Sequence, residues 1–194
     1  MTKTAICNLA LSKLGASPIV STGENTVNAE HLRTHYDAVL AEVLRKAPWS
    51  FAIARALAPG LDAPAWGWSK AYQIPFGCIH ILEVNSYSTE DSVDPPFEIE
   101  GGKILCDADS CRVRYVKLEE DTSTYPGDFT ELFATMLAAR ICPGITGDSG
   151  KAAQLEGHAL SYLLPNAIQQ GVNESRPYRV DLVAQSDLVR SRYQ

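Results

Sequence analysis

Apolar residues recur along this chain in two different rhythms. In 4–14, Ile6, Leu9, Ala10 and Leu14 fall on one helical face, and Gly15 followed by Pro18 supplies a stop. A second helix is predicted over 26–47, where Val27, Leu32, Tyr36, Val39, Leu40, Val43 and Leu44 recur at three- and four-residue steps before Pro48. A Gly/Ser/Pro-bearing loop joins the two, so they are expected to form an antiparallel hairpin.

From Trp49 to about Tyr125 helical periodicity fades, and glycine and proline become frequent. Short segments rich in β-branched and aromatic residues take over: SFAIARAL, KAYQI, CIHILEV, PFEIE, KILC and CRVRYVKL. In the last, Val113, Tyr115 and Lys117 alternate with Arg112, Arg114, Val116 and Leu118, as in a strand with one better-buried face. The polar run 107–110 between KILC and CRVRYV reads as a hairpin turn, and the whole stretch as a small antiparallel sheet.

Helical rhythm returns at Asp128, which with Glu131 matches a capping box. Phe129, Leu132, Phe133, Met136, Leu137 and Ile141 form an apolar stripe that Pro143-Gly144 is expected to end. Ser149 is placed to cap a fourth helix carrying Ala152, Leu155, Ala159, Tyr162 and Leu163, with Pro165 kinking or dividing it. After Gly171 the chain turns polar and arginine-rich, like an arm. The predicted fold class is therefore α+β. Residues 1–50 and 126–173 make a four-helix bundle from two helix pairs, 51–125 an inserted antiparallel sheet, and 174–194 a C-terminal arm.

Composition changes this picture little: 194 residues, 45% hydrophobic and 21% charged, describe an ordinary globular chain. No apolar run approaches the ~20 residues of a membrane helix. Asn8, Ser12 and Lys13 interrupt the N-terminal apolar stretch, so it reads as an amphipathic helix and not a signal peptide, and synthesis in the cytoplasm is expected. The five cysteines, 7, 78, 106, 111 and 142, are odd in number and irregularly spaced, which favours buried thiols over a disulfide framework.

Charge adds more. Residues 176–194 hold four arginines against two aspartates, a net +2 that leaves −8 on the other 175 residues of a chain totalling −6. An acidic body is wrong for nucleic-acid binding through counterion release.

Candidate chemistry fails on spacing. GITGDSGKA (144–152) has five residues between Gly144 and Gly150, where a phosphate loop has four, and Ala152 stands where that loop needs a hydroxyl. The same GDSG echoes a serine-protease nucleophile segment, but it lies between two helices and not among the β-barrels that such a site needs. His31 and His35, four apart on the second helix, lack the glutamate of a zinc-protease helix and a third ligand nearby. Cys106 and Cys111 make an isolated C-x₄-C pair, read as cross-strand thiols at the expected turn. Glu90, Asp91 and Asp94 read as a solvated loop. Trp49, Trp66, Trp68, Tyr72 and Phe76 read as core and interface packing, since little basic residue is interleaved. No catalytic, cofactor or metal residue is assigned on these grounds.

With those segments in order, the chain resembles the head-to-tail adaptors of tailed DNA phages, the tail tubular protein A-like group. ICNLALSKLGA (6–16), then Ala29, Leu32 and Tyr36-Asp37, then LRKAPWSFAIARALA (44–58) carry the first half of the likeness. YQIPFGCIHILEV (72–84), ILCDADSCRVRYV (104–116) and DFTELFATMLAARI (128–141) carry the rest, so it spans about residues 5–173. Cys106, where the family often has threonine, and Pro165, in a helix usually unbroken, depart from it. The resemblance implies a structural, non-enzymatic subunit of a homo-oligomeric ring, usually dodecameric, at the head–tail junction of the virion. Its partners would be copies of itself, the portal protein and the tail tube or nozzle, with DNA passing through without sequence-specific binding and no membrane involved. Arg176, Tyr178, Arg179, Arg190, Arg192 and Tyr193 would then form a portal-docking arm. A small cytoplasmic enzyme and a monomeric binding module are the alternatives.

Overall fold

The computed structural model describes residues 1–85 and 95–174, with side chains as far as Gly171. Helix α1 (Lys3–Leu14) starts at Thr2, whose hydroxyl accepts from Ala5 N–H, and ends where Gly15 turns left-handed at φ 73°. Helix α2 (Val27–Arg45) starts likewise, with the Thr26 hydroxyl accepting from Ala29 N–H. The strands follow: β1 (Ile53–Ala58), β2 (Gly60–Leu61), β3 (Lys70–Gln73), β4 (Cys78–Val84), β5 (Glu98–Glu100), β6 (Lys103–Cys106) and β7 (Cys111–Lys117). Helix α3 (Gly127–Thr146) and helix α4 (Ser149–His158) come next. A π turn (Ala159–Leu163) then leads into α5 (Leu164–Glu174).

The α+β class stands, but the four helices do not make a four-helix bundle. Packing runs through α3, which receives α1 on one side, α2 on another and α4 on a third, with α5 touching it further along. Among the described residues no interface of similar extent joins α1 to α2 as a hairpin, or either of them to α4. The physical reason lies in α3. Phe129, Leu132, Phe133, Met136, Leu137 and Ile141 are buried as expected, but so are Thr130, Ala134, Thr135, Ala138 and Cys142 on its other sides. A helix buried all round is a central rod, not one staff of four. Helix α4, by contrast, buries none of its residues.

Several helix ends also differ from expectation. Asp128 lies inside the first turn of α3, its carboxylate accepting from the adjacent Phe129 N–H, while Pro126 is the cap residue. Glu131 takes no part in a capping box and instead pairs with Lys13 of α1. Pro143-Gly144 does not end α3. The helix continues to Thr146 and stops at Gly147, φ 72°. Asp148, not Ser149, caps α4, accepting from Lys151 N–H. The interruption expected at Pro165 takes the form of the π turn just before it, which loosens the ladder where proline offers no N–H.

The strands form two antiparallel sheets and not one. The first has the order β1-β7-β4, the second β2-β3-β6-β5. Strands β6 and β7, expected as a hairpin, lie in different sheets, and the turn between them carries the chain across. Asp107 holds that turn by accepting from Ser69 N–H and Oγ, and Lys70 pairs with Asp109. One face of the first sheet meets the second sheet over Val113, Tyr115, Ile81, Ile104, Tyr72 and Cys106. The other face turns toward the helices, and Val116 joins the helical core. Between sheet and helices sits an aromatic cluster. Phe129 meets Trp49 and Tyr125 edge-on at 5.0 Å each and Phe51 at 4.7 Å.

Candidate interaction surfaces

Few of the sequence-derived candidates converge. The six residues assigned to a docking arm, Arg176, Tyr178, Arg179, Arg190, Arg192 and Tyr193, lie outside the described residues, as do Glu90, Asp91 and Asp94. His31, on α2, lies against α3, its ring so close to Gly144 that a methyl group there would meet it at 2.4 Å. Among the described residues no three of His, Cys, Asp and Glu stand close enough to hold one metal ion. The glycine-bearing segment 144–152 is the end of α3, the link and the start of α4, with the Gly147 N–H donating to Pro143 O and Asp148 capping.

Cys106 and Cys111 are free and buried in the core between the sheets. Burial, and then the neighbouring Cys106, pushes the Cys111 thiol from 9.0 up to about 12. Cys7, buried among the helices, is pushed up to about 11, with Lys3 pulling slightly the other way. Neither is poised as a nucleophile, which needs a depressed thiol pKa.

The aromatic group divides. Trp49 is buried with its Nε1–H donating to Val43 O at 2.9 Å, and Tyr72 is buried with its hydroxyl donating to Ala108 O at 2.5 Å. Trp68 donates to Glu98 Oε2 at 2.9 Å. Trp66 and Phe76 stand in solvent, at 87% and 103% relative exposure.

Exposed apolar side chains form two unlike sets. Leu57, Leu61, Trp66, Phe97 and Ile99 lie on the sheets and their loops, while Leu160, Tyr162 and Ile168 lie along the π turn and α5. Surface apolar residues standing singly need no explanation, and it is contiguous patches of them that mark contact surfaces.

One constellation was not singled out from the sequence. The helix-facing side of the first sheet extends past the helices, and register there places Arg55 opposite Arg114 and Leu57 opposite Arg112. Arg114 pairs with Glu83 of β4 at 2.5 Å. A groove runs over this face. Its inner part, about 680 Å³, reaches Trp49, Phe129 and Ile168. Its outer part, about 480 Å³, is walled by Arg55, Leu57, Glu83, Arg112 and Arg114. The sequence signal is the period-two spacing Arg55-x-Leu57 and Arg112-x-Arg114, of which only the second is read above as strand alternation.

No family model and no curated protein matches this sequence. Among the described residues no helix is long and apolar enough to cross a membrane.

Proposed function

We propose that this chain is a structural ring subunit of a tailed DNA phage, a head-to-tail adaptor of the tail tubular protein A-like kind. It sits between portal and tail and lets DNA leave through the ring. The observation that carries the reading is the exposure of apolar side chains on two separate parts of the chain, Trp66, Phe97 and Ile99 among the strands and their loops and Tyr162 on the π turn. A closed ring is built from heterologous contacts, in which two different patches of one subunit meet on neighbours. The ordered likeness of 5–173 to that family supports the same assignment. So does the charge: a body of −8 lines a channel that repels the DNA backbone, and DNA that is not held does not stall. The basic segment 176–194 is the arm that docks on the portal, through its arginines and tyrosines.

Mixing the purified chain with portal protein and imaging the product by electron microscopy tests this. Rings stacked on the portal are the expected result. Portals that stay bare at saturating chain would overturn it.

A further inference from the structure

Among the described residues the two sheets have four edge strands, and three of them are guarded. An open edge is a template for another strand, so natural sheets keep their edges short, charged, bulged or covered. Strand β2 has two residues, and β5 has three, two of them glutamates. Strand β4 is irregular against β7 at two places, and Arg45 of α2 donates to its Ile79 O at 3.0 Å. Strand β1 has none of these guards. Its six residues run in unbroken register with β7. Among the described residues, 54–58 have no hydrogen bond or ion pair other than those to β7.

Side chains along β1 define what fits beside it. Ala54, Ala56 and Ala58 face the core between the sheets, where Ala58 is buried and the other two are half-buried at its rim. Three small residues in alternation leave space for larger neighbours on an added strand. On the other face Arg55 is exposed between Ile53 and Leu57, with no ion pair among the described residues. A carboxylate opposite it on an added strand complements it.

A stretch outside the described residues has this pattern. Tyr178-Arg179-Val180-Asp181-Leu182 alternates large apolar with charged residues. Residues 86–94, whose large apolar side chains are Tyr87 and Val93, lack it. We infer that the open edge of β1 receives residues 178–182 of a second copy of this chain as an added antiparallel strand. Tyr178, Val180 and Leu182 then lie opposite Ala58, Ala56 and Ala54, and Asp181 opposite Arg55. Main-chain hydrogen bonds supply the affinity and the side-chain pattern selects the segment. Arg190, Arg192 and Tyr193 lie past the strand and stay available to the portal. A strand-to-edge contact is head-to-tail, so it propagates into a ring or an open chain of subunits. The inference rests on the ring-subunit reading and supplies one of its interfaces.

Charge exchange on the full-length chain tests it. Self-association is followed by sedimentation velocity over a concentration series, with circular dichroism confirming that each variant is folded. Arg55→Asp alone and Asp181→Arg alone each weaken association about tenfold, because like charges then meet. Combining both in one chain restores it within about threefold, and so does mixing the two single variants, since each offers the other complementary contacts. Val180→Pro, which removes a main-chain donor from the added strand, weakens association about tenfold or more. A wild-type chain that stays monomeric, single variants that associate as wild type does, or a double variant without recovery would each overturn the inference. Recovery in the double variant but not in the mixture puts strand and edge in one chain and overturns the contact between copies. Imaging on portal separates the two ideas. Rings that persist in the single variants sink the strand contact alone, whereas rescued association with bare portals sinks the ring-adaptor function alone.

Discussion

Two residue-level features have consequences that follow from packing and charge. At Gly144 a methyl group would strike the His31 ring, so the space is a docking notch between α3 and α2. In an open helix Gly→Ala gains roughly 1 kcal/mol from propensity. Here the half-buried His31 ring has to swing aside, which offsets that gain, and Gly144→Ala is expected to fall short of the open-helix gain in denaturant titration. In a His31→Ala background the same substitution recovers the full gain, a difference that a chain with His31 swinging freely would not show. The buried thiols make the fold sensitive to alkali. Cys7 and Cys111 ionise near 11 and 12 when folded against 9.0 otherwise, so the unfolded chain loses these protons first. Burial pushes the hydroxyls of Tyr36 and Tyr125 in the same direction. The stability these groups protect is fully present below about pH 9 and falls as pH rises through the folded values. Urea midpoints measured at pH 7 and pH 10 are expected to drop at the higher pH, and Cys111→Ala to flatten part of that drop.

At the scale of elements, boundaries marked by a single residue were the legible ones. Thr2, Gly15 and Thr26 delimit α1 and α2 close to where apolar spacing puts them. Helix α4 shows the limit, because Asp148 and Ser149 are both good cap residues and only the backbone decides between them. Asp148→Ala is expected to cost about 1 kcal/mol by thermal melting, and Ser149→Ala almost nothing. Burial of α3 on all sides was not legible. Thr130 and Thr135 look like a solvent face in sequence, yet the Thr135 hydroxyl satisfies itself on Glu131 O at 2.7 Å and is buried. Alternation in β7 marked its two faces but not its partners, so the crossing from second sheet to first at 107–110 passed for a hairpin. Phe129 joins the elements through its four ring contacts, and Phe129→Ala is expected to cost about 3–5 kcal/mol.

At the scale of the whole molecule, the helices gather on α3 and the two sheets stack beyond them, leaving a groove lined by Arg55, Arg112, Arg114 and Glu83 at the junction. The sequence showed that charge was uneven, but it located the positive excess in 176–194 alone. The three groove arginines come from β1 and β7, strands far apart in the chain, so only their pairing brings them together. The central claim is the proposed one, that copies of this chain assemble head to tail into a ring. The most direct measurement is an electron-microscopy reconstruction, without imposed symmetry, of the head–tail vertex of the virion to which the proposed function assigns this chain. A ring of copies of this fold between portal and tail, most simply dodecameric, is the result the account predicts. A vertex in which no density fits α3 with its two stacked sheets would contradict it.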